Sequence, residues 1–327
     1  MRLLFSIVLA VLLGAAGAGY LWLDQPFDLP NPTVDLSIEP GTSGRDIVSA
    51  VQDAGVSVNS GLLYAWFRFS GQSKKIKAGS YELDRHTTPR SLLQKLVQGE
   101  EALRSVTLVE GWTFRQFREA LGKAEQLKPE SRALAIDDIM SQLGKPGTPP
   151  EGHFFPDTYT YSKGSSDMAV LRRAMRAMDK RLAAAWALRD AGSPLKSPED
   201  ALVLASIVEK ETGSPQDRAN IAAVFSNRLR IGMRLQTDPS VIYGMGTMFD
   251  GNLRKRDLQT DTPWNTYTRV GLPPTPIAMP GKASLLAAVQ PAASKALYFV
   301  ARGDGSSQFS NTLDEHNRAV NNYQRGQ

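Results

Sequence analysis

The amino terminus begins with a long apolar run. Residues 3–23, LLFSIVLAVLLGAAGAGYLWL, carry no charge and are long enough, as a helix, to cross a hydrocarbon core of about 30 Å. This pattern predicts a transmembrane anchor at residues 1–24, although the small residues at 16–18 also fit a cleaved signal peptide. The aromatic end of the run, at residues 20–23, favours the anchor. Because basic residues precede the run and none follows before Arg45, the rest of the chain is expected outside the cytoplasm.

The segment after the apolar run predicts a linker and then a small module. Residues 25–32 contain three prolines and predict an extended linker. Residues 33–39 alternate apolar and polar side chains, which is the period of a half-buried strand. Start and stop signals then predict a strand at 78–83 and helices near 43–53, 57–69 and 88–96. Together these elements predict a small α/β module over residues 33–103.

The remaining chain, residues 104–327, is dominated by helical patterns. Strands are predicted at 105–109 and 296–300, and helices near 114–125, 134–143, 166–190, 198–212 and 215–231. The absence of a fixed-period repeat argues against a solenoid. The predicted fold class is therefore α+β, with an amino-terminal transmembrane helix, a small α/β module and a larger α-rich domain with short strands.

One predicted helix places an acid on an apolar face. Ser197 and Pro198 are start signals, and Gly213 stands where the helix would end. At 100° per residue, Glu211 lies with the large apolar side chains of the helix, whereas Glu209 lies on the opposite arc and can stay in water. Burial would raise the pKa of Glu211 toward the range of a general acid. A glutamate that merely ends a surface helix or pairs with an arginine remains the alternative.

The segment after the next helix is predicted as a loop and gathers polar and aromatic residues. Residues 233–244 place Gln236, Thr237, Asp238 and Tyr243 among apolar neighbours, a mixture that suits a sugar. Sugar hydroxyls need hydrogen-bond partners, and sugar ring faces need flat apolar ones. For Asp238 and the proline after it, a plain turn is an equally good interpretation.

Composition removes several classes of chemistry. The 327 residues include no cysteine and three histidines without paired spacing, so thiolate nucleophiles, disulfides and a metal site are not expected. Neither a GxSxG elbow nor a phosphate-binding GxxxxGK[ST] loop occurs, and no cofactor is predicted. The formal net charge of +5 comes from scattered basic residues, which indicates a preference for anionic surfaces and no nucleic-acid groove.

Four motifs carry a resemblance to a known family. They are EGHFFPDTYTY at 151–161, ASIVEKET at 205–212, NRLRIGMRLQTDPSVIYGMG at 227–246 and WNTYTRVGLPPTPIAMPG at 264–281. With them the chain resembles the endolytic murein transglycosylases, which are bacterial inner-membrane enzymes. One position departs from the expected pattern, since His153 stands where some relatives would carry an aromatic or other large residue.

The resemblance implies roles for particular residues and domains. It implies that Glu211 is the catalytic residue, that residues 33–103 are similar to glycan-binding LysM modules, and that residues 104–327 have a lysozyme-like catalytic cleft. No cofactor or metal is implied. The candidate substrate-binding residues within these motifs are Glu151, Tyr159, Gln236, Asp238, Tyr243, Asn265 and Tyr267.

The implied reaction is cleavage of the β-1,4 bond between N-acetylmuramic acid and N-acetylglucosamine within glycan strands, with termination of nascent strands as the expected role. Glu211 would protonate the glycosidic oxygen and then accept the proton of the muramyl C6 hydroxyl, giving a 1,6-anhydro end. Hydrolysis with Glu151 or Asp238 as a second carboxylate is one alternative. A non-catalytic, membrane-tethered glycan-binding scaffold is another.

The resemblance also implies a location and partners. The expected location is the bacterial inner membrane, crossed once by the amino-terminal helix, with the catalytic domain in the periplasm. The expected partners are peptidoglycan glycan strands, the membrane itself and, by analogy alone, peptidoglycan synthases.

Overall fold

The amino-terminal helix is the first element of the computed structural model, which describes residues 2–39 and 41–325. It runs as α1 (Arg2–Trp22). A membrane crossing takes about 20 consecutive, predominantly apolar residues. Within the described residues, no helix combines the length and the apolar character that a crossing requires. This finding contradicts the predicted anchor at residues 1–24 and the single-pass inner-membrane location built on it. The side chains of residues 1–5, 8, 12, 15 and 16, on which that prediction also drew, lie outside the described residues.

The chain divides into two compact units. Unit 1 comprises Met1–Arg104 and Thr160–Gly164, and unit 2 comprises Ser105–Tyr159 and Ser165–Gln327. The strands are β1 (Thr33–Ile38), β2 (Gly79–Asp84), β3 (Leu103–Thr107), β4 (Thr158–Ser162), β5 (Tyr298–Ala301) and β6 (Ser307–Ser310), and they form the two-stranded sheets β1-β2, β3-β4 and β5-β6. Short strands among many helices make this a mixed α+β fold, as predicted.

Twelve further α-helices follow α1 in the described residues, some of them separated by strands. In chain order they are α2 (Gly44–Asp53), α3 (Ser60–Phe69), α4 (Pro89–Gln98), α5 (Phe114–Lys123), α6 (Ile136–Gln142), α7 (Asp167–Ala187), α8 (Pro198–Glu211), α9 (Pro215–Arg230), α10 (Asp238–Met245), α11 (Lys255–Gln259), α12 (Lys282–Val289) and α13 (Leu313–Val320). Short 3-10 turns lie at Ser73–Lys75, Glu130–Ala133 and Gly246–Met248, and a π turn lies at Asn321–Arg325.

Unit 1 is built on the antiparallel pair β1-β2. The period of two in β1 puts Val34, Leu36 and Ile38 into the core, where Leu36 stands opposite Tyr81. Helices α2, α3 and α4 contribute the other apolar residues of this core. The segment predicted as a linker packs on the same core, since Phe27 is buried and its N–H donates to the Thr87 carbonyl at 2.9 Å.

Unit 2 is organised around α8. The Ser197 side chain caps this helix by accepting the N–H of Asp200, and Pro198 occupies its first turn, as the start signals predicted. Residues 201–208 are buried on every side of the helix, which packs against α7, α9, α10 and α12. The expected division of α8 into one apolar and one polar face is therefore wrong. A central helix surrounded by other helices has no face left for water.

The other predicted helices of unit 2 are also present, each within one turn of its predicted bounds. The main difference is at residues 233–244, where the sequence predicted a loop and the structure has α10. Thr237 occupies the N-cap position of α10, and Pro239 lies in its first turn. The short helix turns the polar residues of this segment toward the end of α8.

Candidate active site

Glu211 is the last residue of α8, at the point where the helix leaves the core. Its side chain is half-buried, and its Oε1 accepts a short hydrogen bond from the Thr237 hydroxyl. Thr237 is almost fully buried and makes no side-chain cap on α10, because its hydroxyl is directed at Glu211 instead. The contact joins the carboxyl end of one helix to the amino end of another.

The surroundings of Glu211 favour the protonated carboxyl. Burial is the main cause and raises the pKa of Glu211, while the Thr237 hydrogen bond lowers it. The negative charge of Asp238 raises this pKa further, and the positive charge of Arg228 opposes it. The net shift is upward. A carboxyl with a raised pKa holds its proton at higher pH than an ordinary glutamate and can donate it to a leaving group.

Thr237 is held in place from the neighbouring loop. Its N–H donates to the Thr266 hydroxyl at 3.0 Å, and the Ser240 and Thr266 hydroxyls lie 2.9 Å apart. The N–H of Gln236 donates to the Thr266 carbonyl at 3.2 Å, and Gln236 has a left-handed φ of 52°. Such a backbone conformation is uncommon outside glycine and often marks a functional site. These contacts fix the direction of the Thr237 hydroxyl.

Asn265 organises the loop that carries Thr266. Its Nδ2 donates to the carbonyls of Asp257, Leu258 and Thr260 at 3.3, 3.1 and 2.7 Å, and its Oδ1 accepts the N–H of Tyr267 at 2.8 Å. Asn265 is fully buried, so its amide is committed to these contacts. We interpret Asn265 as a structural residue that holds the loop carrying Thr266 in place.

Asp238 and Tyr267 form the other side of the Glu211 environment. The Tyr267 hydroxyl donates to Asp238 Oδ1 at 2.5 Å. Burial, followed by this contact with Asp238, raises the pKa of Tyr267, so the phenol keeps its proton and acts as the donor. Arg228 is buried nearby, and its Nε and Nη1 donate to the carbonyls of Leu297 and Leu235 at 2.8 and 2.5 Å.

A second acid, Glu151, lies at the opposite end of α10. It is 6% exposed, and its Oε1 accepts the N–H of Phe114 at 3.0 Å while its Oε2 accepts the Tyr243 hydroxyl at 3.2 Å. Burial raises its pKa to about 7, although both hydrogen bonds act in the other direction. Tyr243 also packs edge-on against Trp264, with 5.5 Å between ring centroids. Glu151 thus ties the start of α5 to α10.

The residue after Glu151 has to be glycine. Gly152 has a φ of 84°, and a Cβ there would lie 2.5 Å from the Pro276 ring. A side chain would meet both backbone strain and a steric clash. The glycine therefore allows the tight approach that brings Glu151 beneath α10.

The acid two residues before Glu211 has a different role. Glu209 Oε2 accepts the N–H of Gly281 at 2.8 Å, so it holds the start of α12. Lys210 is exposed, and its Nζ donates to the Gly111 carbonyl at 3.3 Å. The expectation that Glu209 stays in water is wrong, because its carboxylate serves as an acceptor within unit 2.

Residues 36–322 match the model of the YceG-like family. The chain belongs to the YceG-like family. A relative from Bacillus subtilis named endolytic murein transglycosylase is 32% identical over 308 residues, which cover 89% of this chain and 85% of the relative. A protein of the same name from Streptococcus pneumoniae is 28% identical over 357 residues, which cover 97% of this chain and 64% of the relative.

A solved structure supports the same family assignment. The crystal structure of a yceG-like protein from Listeria monocytogenes matches with a TM-score of 0.57 and 30% identity, over 88% of this chain and 98% of that one. The YceG-like fold therefore extends through both compact units of the chain.

The structure gathers most of the predicted site residues of this YceG-like protein around α10, but not all of them. Tyr159 lies in β4, where it is buried and its hydroxyl donates to the Phe155 carbonyl at 2.7 Å. The Gln236 side chain is exposed, and its backbone makes the structural contact. His153, whose role the sequence left open, is buried with its Nε2 3.5 Å from Glu199 Oε1.

Three contributors were not among the predicted site residues. Thr237 donates to Glu211, Thr266 holds Thr237, and the charge of Arg228 lowers the pKa of Glu211. Of these, only Thr237 had a visible signal, as a polar residue in the segment 233–244. In the part of the chain that the structure describes, no group of three or more His, Cys, Asp or Glu residues is arranged to hold a metal ion.

Proposed function

We propose that Glu211 is the catalytic acid and base of this YceG-like protein, an endolytic murein transglycosylase whose substrate is peptidoglycan. The observation that carries the assignment is a half-buried carboxyl with a raised pKa, held by a single hydroxyl donor at the exposed end of a core helix. Two relatives at 28% and 32% identity are named endolytic murein transglycosylases. A glycan-binding scaffold would have no use for such a carboxyl.

The proposed reaction proceeds in two proton transfers. Glu211 first donates its proton to the oxygen of the glycosidic bond, and the bond to C1 of the muramyl residue breaks as C1 gains oxocarbenium character. The resulting carboxylate then accepts the proton of the muramyl C6 hydroxyl, whose oxygen bonds to C1. The products are a free hydroxyl on one fragment and a 1,6-anhydro ring on the other, and Glu211 regains its proton.

The contacts of Glu151 and Asp238 bear on the hydrolytic alternative. A hydrolase would need a second carboxylate to attack C1 or to activate water. Both oxygens of Glu151 accept hydrogen bonds inside the protein, and Asp238 accepts one from Tyr267. The commitment of both Glu151 oxygens argues against Glu151 as the activator of water, and the exposed Asp238 is the carboxylate that product analysis has to exclude.

Mass spectrometry of released muropeptides distinguishes the two reactions. The full-length protein, incubated with purified peptidoglycan, should release fragments one water lighter than hydrolytic fragments, because no water is consumed. Fragments with ordinary reducing ends would refute the transglycosylase reaction and direct attention to Glu151 and Asp238.

The pH at which activity declines should respond to Thr237 and Asp238 in opposite directions. Activity needs protonated Glu211, so it falls as the pH rises through the pKa of Glu211. Thr237→Val removes a hydrogen bond that lowers this pKa and should move the decline to higher pH. Asp238→Asn removes a charge that raises it and should move the decline to lower pH. Shifts on the order of one pH unit are expected from profiles of kcat/KM.

Thr237→Ser is the matched control for this pair, because it keeps the hydroxyl and should keep the wild-type profile. A serine variant that behaves like the valine variant would show that packing, and not the hydrogen bond, sets the profile. If Thr237→Val and Asp238→Asn moved the decline in activity by the same amount in the same direction, the decline could not be assigned to the ionisation of Glu211.

We also propose that residues 33–103 form a LysM-like glycan-binding module and that the domain at residues 104–327 holds the substrate in a lysozyme-like cleft. The order β1-α2-α3-β2 with antiparallel strands supports the first part. Synthases of peptidoglycan are partners by analogy alone. Binding of the full-length protein to insoluble peptidoglycan, compared with binding after removal of residues 1–103, tests the module.

A further inference from the structure

Unit 2 contains a cavity that is separate from the surroundings of Glu211. It has a volume of about 730 Å³, within the range of small-molecule and peptide pockets. Its wall is formed largely by α5 and the segment that follows, and Glu151 and Tyr243 lie at the end nearest α10. Glu211 is not among the residues that line it.

The cavity and the catalytic residue lie at opposite ends of α10. Thr237, which donates to Glu211, occupies the N-cap position of this helix, and Tyr243 is five residues beyond Asp238. At 1.5 Å per residue, that is an axial rise of about 7–8 Å. The N-cap of α10, which contacts Glu211, and Tyr243, which lines the cavity, are thus separated along the helix by a rise comparable to the length of a short peptide branch.

The open side of the cavity is basic. Arg115, Lys123 and Arg132 line it with exposed side chains. The Arg118 guanidinium lies beside them and is fixed by donating to the Ser131 carbonyl at 2.6 Å. These residues make the exposed part of the cavity lining electropositive.

The acidic residues that line the cavity offset little of the positive charge of these basic residues. Glu151 accepts two internal hydrogen bonds, and burial favours its neutral form. Asp167 is buried and accepts the N–H and hydroxyl of Ser131 at 3.0 and 2.6 Å. Of the acids lining the cavity, Glu119 is the exposed one, one helical turn from both Arg115 and Lys123. A ligand at the mouth therefore meets more positive than negative charge.

We propose that this cavity binds the peptide branch of a muramyl residue through the carboxylates of that branch. The inference rests on the proposed function, since it takes peptidoglycan as the substrate. The saccharide backbone is uncharged apart from its branches, whereas the peptide branches combine free carboxylates with small apolar side chains. Exposed Ile136 and the buried ring of Phe114 supply the apolar surface for them. Arginine and lysine supply charge-assisted hydrogen bonds.

The first test measures binding without cleavage. Isothermal titration calorimetry with N-acetylmuramyl pentapeptide should show a Kd about tenfold weaker for the double variant Arg115→Gln and Lys123→Gln than for the wild type. The matched control is Arg176→Gln with Lys180→Gln, which removes the same charge from exposed positions on α7 outside the cavity. If both double variants bound the muramyl pentapeptide equally weakly, the loss of binding would be explained by net charge alone, and the proposal would be overturned.

The second test measures selectivity during cleavage. The ratio of kcat/KM for peptide-bearing strands to kcat/KM for strands stripped of peptides should fall about tenfold in the cavity variant and stay at the wild-type value in the control. An unchanged ratio in the cavity variant would refute the subsite while leaving the transglycosylase assignment intact. Wild-type protein that binds the muramyl pentapeptide but cleaves neither strand type would refute the assignment and leave the cavity as a peptide-binding site.

Discussion

Glu211→Gln is expected to reduce the release of anhydromuropeptides on the order of 10³-fold while leaving the fold intact. Glutamine has nearly the same shape as protonated glutamate, and its Oε1 can still accept the Thr237 hydroxyl. It cannot, however, deliver a proton to the glycosidic oxygen or take one from the C6 hydroxyl. Since burial already disfavours the charged form of Glu211, loss of the acid should not destabilise unit 2. Muropeptide release and thermal unfolding of the same preparations measure the two effects.

Glu209→Gln is the matched control, two residues earlier on the same helix. Its side chain accepts the N–H of Gly281, and a glutamine can still do so. This variant should retain activity close to the wild type. Comparable losses in both variants would indicate damage to the end of α8, and a large drop in the unfolding temperature of Glu211→Gln alone would assign Glu211 a structural role. Unchanged release of anhydromuropeptides by Glu211→Gln would mean that a residue other than Glu211 is the catalytic acid.

The choice of Glu211 was accessible from the sequence, although its physical setting was not. Ser197 and Pro198 located the start of α8 because capping chemistry is local. The helical wheel then put Glu211 with the apolar residues, but it also assigned a polar face to a helix that is buried all round. Residues 201–208, ALVLASIV, contain serine as their one polar residue, so the sequence itself carried a sign of a central helix.

The partners of the two acids depended on contacts that no local pattern reveals. Thr237 meets Glu211 across 26 positions of the chain, and Tyr243 meets Glu151 across 92. The helix that carries both partners, α10, has eight residues, too few for a clear helical period. Its start signals are a threonine and, two positions later, a proline, and for Asp238 and that proline a plain turn was an equally good interpretation because the same residues favour both. Sequence patterns locate elements better than they locate the pairs of elements that build a site.

Glu151→Gln is expected to change how the stability of the protein depends on pH. Burial raises the pKa of Glu151 to about 7, whereas an unfolded chain would release this proton near pH 4.3. Between these values the folded state keeps a proton that the unfolded state has lost, so the free energy of unfolding falls as the pH rises. The fall is about 1.4 kcal/mol per pH unit, or roughly 4 kcal/mol across the window, and is complete above the folded-state pKa.

Urea unfolding of wild type and Glu151→Gln between about pH 4 and about pH 8 measures this contribution as the difference between the two proteins. As the pH rises, the free energy of unfolding of the variant should increase relative to that of the wild type, because its neutral amide never has to ionise. Glu119→Gln, at an exposed position on the same cavity, controls for net charge. Tyr243→Phe should extend the window to higher pH, since the Tyr243 hydrogen bond lowers the pKa of Glu151. A pH-independent difference between wild type and Glu151→Gln would mean that folding does not raise the pKa of Glu151, and its contacts with Phe114 and Tyr243 would then be those of an ordinary carboxylate acceptor.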